Sequence, residues 1–130
     1  LFKIINLVDI NEKISRKTGD NTITQICRTI KQDLAPEYLF VRYMGPKFAI
    51  VFSGVELQAV EEFMKDVKAK AEALKIEPAE DYSGDCKEVS PKLNIALARY
   101  YKGTELIGVT KKLEEYLDTT DPLESNINYL

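Results

Sequence analysis

RYMGPKFAIVFSG, Arg42 to Gly54, reads as two short strands joined by a tight turn. Tyr38 to Tyr43 and Lys47 to Ser53 are rich in β-branched and aromatic residues, with only a few turn residues between them. That is the sequence signal of a β-hairpin. A two-residue turn of type II′ needs a positive φ at its first central position and accepts the negative φ that proline fixes at its second. Gly45-Pro46 therefore suits the tip, with Met44 and Lys47 flanking it.

The rest of the chain arranges itself around this hairpin. LFKII (1–5) is a short apolar strand bounded by Asn6, which suits a helix cap. Leu7, Ile10 and Ile14 repeat at helical spacing, predicting a short helix that ends near Thr18-Gly19. A second helix is predicted from Asn21, with Ile23, Ile26, Cys27, Ile30 and Leu34 on one stripe and Pro36 after its end. Between Val55 and Leu74 the apolar positions Leu57, Val60, Phe63, Met64, Val67, Ala71 and Leu74 keep the helical period over about five turns. The acidic stretch IEPAEDYSGDCKEVSP reads as an extended loop with room for a small edge hairpin. Its Asp81 to Asp85 segment lacks the alternating oxygen ligands and final Glu of a calcium loop. KLNIALARY (92–100) reads as a strand, Thr104 to Asp118 as a helix with Leu106, Val109, Leu113 and Leu117 inward, and SNINYL (125–130) as a last strand. Tyr129 and Leu130 are expected to pack within that strand rather than form a contact surface.

The predicted order is β-α-α-β-β-α-β-α-β, an α/β sandwich of one domain (1–130) with a mixed central sheet. A chain of 130 residues, 45% apolar, supports one hydrophobic core and not two. The net charge of −3 gives none of the basic footprint that a phosphate backbone demands, so nucleic acid is not an expected partner. No apolar run approaches the roughly 18 residues of a membrane span, so no membrane contact by this segment is expected. With no histidine, zinc sites and histidine acid–base chemistry are excluded. Cys27 and Cys86 have no CxxC spacing and read as inert thiols of a reduced, cytoplasmic protein. Because the chain opens at Leu1 directly into an apolar run, it is expected to be a piece of a larger protein, such as the cytoplasmic part of a receptor.

Open α/β sheets place ligands at strand ends and loops, which returns attention to the hairpin tip. The order of elements, and the hairpin in particular, resembles the GGDEF domain of diguanylate cyclases, with Met44-Gly45-Pro46-Lys47-Phe48 where that family carries its signature. INEKISRKTGD (10–20) resembles the family segment INDxxGHxxGD, keeping Ile10, Asn11, Gly19 and Asp20 at the same spacing. NIALA (94–98) stands where the family has its SIGVA strand.

The resemblance implies a fold that makes cyclic di-GMP from two GTP molecules on facing domains, with divalent metals bridging the phosphates. In the family the metals are held by an Asp on the first strand and by the acidic fourth residue of the signature. Here those positions are Lys3 and Lys47. Two unit charges about 4 Å apart interact by roughly 4 kcal/mol at an effective dielectric of about 20, so an ammonium beside a divalent cation is strongly repelled. Pro46 replaces another signature acid, and Met44 replaces the first signature glycine, where a side chain would crowd the approach of phosphates. The RxxD motif of the family's inhibitory product site is missing as well, its ends falling on Ala35 and Tyr38.

The sequence therefore reads as a degenerate GGDEF domain with no metal, no cofactor and no catalytic residues. It is expected to serve as a regulatory or interaction module in cyclic-di-GMP-type signalling. Its partners would be other domains of the same protein, for example a phosphodiesterase, a second copy of itself in a homodimer, or another signalling protein. The alternative is a sensor that binds GTP or GDP without metal. Asn11 and Asp20 match the family residues that contact guanine, and an Asp carboxylate can accept two hydrogens from guanine's N1 and N2 edge. Lys3 and Lys47 are then candidate phosphate contacts, lysine being a competent point charge for a phosphate. Against this, Gly19-Asp20 can be read simply as ending one helix and capping the next. A third reading, a cyclase with relocated metal ligands, would need Asp81 or Asp85 of the acidic loop.

Overall fold

The computed structural model describes residues 1–99, 106–119 and 127–129, without the side chains of Met44, Leu106, Asn128 and Tyr129. The elements run β1 (Phe2–Ile4), α1 (Leu7–Lys13), α2 (Arg16–Asp33), β2 (Leu39–Met44), β3 (Lys47–Val51), α3 (Leu57–Glu72), β4 (Leu93–Leu97), α4 (Leu106–Thr119) and β5 (Ile127–Tyr129). This is the order read from the sequence. The five strands form one sheet in the order β2-β3-β1-β4-β5. The first four pair antiparallel, whereas β5 lies parallel to β4. The sheet is therefore mixed, as expected, but its mixed character comes from β5 at one edge.

Alternation along the strands divides the core between two faces. Phe2, Ile4, Phe48, Leu93, Ile95 and Leu97 point to one face and bury against Ile26 and Ile30 of α2 and Val60, Met64 and Val67 of α3. Phe2 stacks on Phe48 with ring centroids 5.1 Å apart, and Phe40 meets Phe48 edge-on at 6.1 Å. The opposite face carries α4, where Leu113 and Leu117 bury against Ala96. Because β4 is covered on both sides, all five of its residues are buried.

Two boundaries differ from the sequence reading. The first predicted helix does not run to Thr18-Gly19; it stops at Lys13, and α2 starts at Arg16. Ser15 is the reason. Its hydroxyl accepts the Thr18 backbone N–H at 3.1 Å, satisfying a donor at the helix start that would otherwise be orphaned. Gly19-Asp20 thus lies inside α2 and neither ends nor caps a helix. Asn6 precedes α1 without capping it. Its carboxamide instead reaches across to β4's approach, donating to Ser90 O and accepting from Lys92 N, each at 2.9 Å.

The remaining differences are smaller. The loop between α3 and β4 is closed by a single bridge, Ile76 to Val89, in place of a hairpin. It docks on α2 through the Ala79 N–H, which donates to Thr18 Oγ1 at 2.9 Å. Strand β4 ends at Leu97, and α4 is described from Leu106. The expected helix start at Thr104 and the termini of the last strand, Ser125, Asn126 and Leu130, lie outside the described residues, as does the side chain of Tyr129. Among the described residues no helix is long and apolar enough to cross a membrane.

Candidate functional site

The hairpin tip has the conformation its sequence requires. Gly45 sits at φ +56°, a region where a side chain is strained, and Pro46 follows with negative φ. Arg42 donates from Nε to Gly45 O at 2.9 Å, and the Ile4 N–H donates to Pro46 O at 2.9 Å. The turn is thereby held both by its own strand and by β1. Phe48 anchors it from below, 1% exposed. One extra residue in β2 shifts the register between Arg42 and Met44, a bulge at Tyr43 of the kind that re-aims side chains near strand ends. The side chain of Met44, expected to crowd the tip, lies outside the described residues.

Lys3 and Lys47 are cross-strand partners in the β1–β3 ladder, so both ammonium stems rise from the same face of the sheet. That face is the one covered by α4. Lys47 is 9% exposed. Its Nζ lies 3.0 Å from Glu114 Oε1 and 2.8 Å from Asp118 Oδ1, while Lys3 Nζ lies 3.8 Å from the same Asp118 oxygen. Glu114 and Asp118 are four apart on α4, which puts both carboxylates on one helical face. Burial pulls the Lys47 ammonium down, but the hydrogen bonds it donates to Asp118 and Glu114, and their charges, outweigh it and hold the group above its ordinary range. Tyr43 faces the cluster: the Glu114 carboxylate, with some desolvation, likewise holds its hydroxyl above the usual tyrosine value.

These residues do not fit a divalent metal. The strand positions contribute cations, and the acids of α4 are already spent on Lys47. A metal would have to displace a tethered ammonium and stand beside a second one. Among the described residues no three His, Cys, Asp or Glu side chains gather as a ligand set. In the acidic loop at 77–88, Glu80 pairs with Lys17 on α2. The candidate phosphate contacts are changed by the same geometry. A phosphate meeting Lys47 must first part it from two carboxylates. Lys3 is the freer of the two, and with Lys13, Lys92, Asn6 and Pro46 it borders an open cavity of about 600 Å³ beside β1 and α1.

Asn11 and Asp20 occupy the other side of the candidate site. Asn11, on α1, lies over Gly19 of α2, so closely that a Cβ on Gly19 would stand 1.8 Å from Asn11 Oδ1. Glycine costs a helix interior about 1 kcal/mol relative to alanine, and here it admits the carboxamide between the helices. Asn11 Oδ1 is buried with no hydrogen-bond partner. Asp20, next along α2, is exposed. The spacing in the sequence thus brings Asn11 to the α1–α2 contact beside Asp20's turn, whereas Lys3 and Lys47 meet at the sheet.

Sequence reasoning missed Glu114, Asp118 and Tyr43. The acids were visible as an i, i+4 pair within LEEYLD, flanking the inward Leu113 and Leu117. What the sequence did not show is that this helix covers the face carrying the two lysines.

Comparison with known proteins gives a consistent result. A search of the curated proteins found no match. The chain resembles the crystal structure of the diguanylate cyclase SiaD of Pseudomonas aeruginosa, solved with its activator SiaC, at a TM-score of 0.83 and 13% identity, over 99% of this chain and 48% of that one. It resembles the GGDEF domain of DgcB from Caulobacter crescentus, solved with c-di-GMP, at a TM-score of 0.80 and 16% identity, over 98% and 74% of the two chains. The GGDEF domain of PA1120 (TpbB or YfiN) from Pseudomonas aeruginosa matches at a TM-score of 0.77 and 19% identity, over 98% and 72%. At such identities the likeness is one of fold, and this chain spans about half the length of the SiaD chain. The family model for the diguanylate cyclase GGDEF domain matches residues 1–120, and the chain therefore belongs to the GGDEF family.

Proposed function

We propose that this domain does not synthesise cyclic di-GMP and acts as a regulatory or interaction module within cyclic-di-GMP signalling. The observation that carries this reading is the ion-pair cluster of Lys3 and Lys47 with Glu114 and Asp118. Metal-assisted phosphoryl transfer needs cations held by protein acids where charge develops on the phosphates. At this place the protein's own cations and acids neutralise one another. The test is turnover of GTP in magnesium and in manganese, followed by chromatographic separation of the nucleotides. The expected result is no cyclic dinucleotide above the level of a buffer blank. Sustained, metal-dependent production of cyclic di-GMP would overturn the reading.

A second reading is favoured by one specific observation. The buried, unpartnered Asn11 Oδ1 and the exposed Asp20 keep the two polar groups with which the family reads guanine. A buried acceptor without a partner costs about 1–3 kcal/mol, and a ligand that donated to it would recover part of that. On this reading the domain holds GTP or GDP without metal and relays occupancy to a neighbouring domain. Calorimetric titration with GTP in excess EDTA checks it: binding lost on Asp20→Ala supports a sensor, and an absence of heat and of thermal stabilisation by GTP removes it.

A further inference from the structure

The open cavity of about 600 Å³ beside β1 and α1 has the size of a small-molecule site, roughly 300–1,000 Å³. Asn11 and Asp20 do not line it, so it is distinct from the residues on which the guanine reading rests. Its walls are cross-linked through the backbone. The Ile4 N–H donates to Pro46 O and the Ile5 N–H to Lys92 O, each at 2.9 Å, while Asn6 Oδ1 accepts from the Lys92 N–H at 2.9 Å. The hairpin tip and the approach to β4 are thus both fastened to β1 and its exit, and the cavity between them is built into the fold.

The lining divides by chemistry. Ile5, Ile14 and Val89 give it an apolar floor, to which Val8 adds a side chain from α1. Val8 is 57% exposed, a large aliphatic group that the core does not use and that gains by leaving water. The charged part of the lining is one-sided: Lys3, Lys13 and Lys92 stand against Asp9 alone. In a chain of net charge −3 this is a local reversal of sign, and a concave surface lined by one sign of charge concentrates ions of the other. Lys3 has a partner in Asp118 at 3.8 Å. Among the described residues, Lys13 and Lys92 pair with no acid.

A bare inorganic anion would meet the lysines and leave the floor wet. A neutral apolar molecule would cover the floor and gain nothing from the ammonium groups. We infer that the cavity binds a small amphiphilic anion, with a carboxylate or phosphate head at Lys3, Lys13 and Lys92 and an apolar body over Val8 and the floor. Lysine serves any oxyanion as a point charge, and the apolar body contributes in proportion to the area it removes from water. The cations belong to the protein, so the site works without metal.

Fluorescence titration in excess EDTA with 8-anilinonaphthalene-1-sulfonate, an aromatic body bearing one anionic head, tests this. One saturable site is expected. Decanoate and decyl phosphate should displace the probe, and their relative strength tells which head the lysines prefer. Inorganic phosphate and decanol each carry half of the chemistry and should compete about tenfold more weakly or worse. Lys13→Gln with Lys92→Gln, and separately Val8→Asp, should each weaken the probe about tenfold, while Asp20→Ala should leave it unchanged. All of these positions are exposed, and the competition arms need only the wild-type chain, so they decide the matter even where a variant fails to fold. Absence of a saturable site, affinity that ignores the lysine and valine changes, or decanol competing as well as decanoate would overturn the proposal. So would displacement by GTP as strong as that by decyl phosphate and lost in Asp20→Ala, which would give the cavity to a nucleotide. A chain that binds the probe as described and shows no heat with GTP keeps this site and removes the guanine sensor, so the two readings fail separately.

Discussion

The two halves of the candidate site are held together in different ways, one by close packing and the other by charge. At the α1–α2 contact Asn11 meets Gly19, with Asp20 next along α2, and the contact is close and specific: a carboxamide oxygen buried over a glycine. At the β1–β3 ladder two like charges, Lys3 and Lys47, face each other on the strands, with their counter-charges on α4. The backbone framework is common to both halves. One part of a candidate site can therefore be built on close packing and another on buried charge, provided that the charge is neutralised from within.

Four expected outcomes break or sharpen this contrast. The largest effect belongs to neither half but to what joins them to the core: Phe48→Ala, at a 1%-exposed ring stacked on Phe2, should cost about 3–5 kcal/mol in denaturant melts. A smaller loss would mean that the hairpin tip is held chiefly by its charges. Next is Gly19→Ala. The new methyl must expel the Asn11 carboxamide, and the net loss should be about 1–2 kcal/mol after the gain in helix propensity. In an Asn11→Ala background the same change should become neutral or stabilising. A cycle that shows no such coupling would mean that Gly19 is not there to admit Asn11.

Third comes alkaline pH. Lys47 has its folded value raised above the ordinary 10.5 and Tyr43 above 10.0. In both cases the protonated form is the one favoured by folding. Their contribution is fully present below the unfolded values and is lost as pH rises through the folded ones. The groups facing them are Glu114, Asp118 and Lys3. Stability should therefore fall above about pH 10 in wild type, and less steeply in Lys47→Met; equal slopes would remove the cluster as the cause. The smallest effect is that of Asp20→Asn, an exposed position, expected to change stability by no more than about 0.5 kcal/mol. Any larger loss would indicate a structural duty that the family resemblance does not predict.

Much of the fold was legible because it is written in local periods. The β-branched and aromatic runs of the strands and the 3.6-residue stripe of α3 gave the element order, and Gly45-Pro46 gave the turn. The α1–α2 boundary was misread because Gly19-Asp20 looks like a helix end, while the working signal was the more modest Ser15, whose hydroxyl bonds Thr18 N. Asn6 was misread for a related reason: its position before a helix suggests a cap, but its partners are Ser90 and Lys92, more than 80 residues away. Of the site, the lysines were legible from alignment with the signature. Their partners were not, since a helical i, i+4 acid pair is usually a solvated face and only the tertiary structure shows what lies beneath it.

The lysine pairing across β1 and β3 also bears on how the molecule is assembled. Until α4 is in place, the central ladder carries two uncompensated ammonium groups facing each other, and the residues that relieve them belong to α4, far along the chain. Contacts so far apart in sequence form late, because closing the intervening loop costs entropy before the contact returns any. The sheet's middle strands and α4 should then become stable together, in one kinetic step. Refolding should accelerate with moderate salt, which screens the lysines from each other, and that acceleration should vanish in Lys47→Met. The arrival of α4 would set the rate at which the strands at the centre of the sheet can settle.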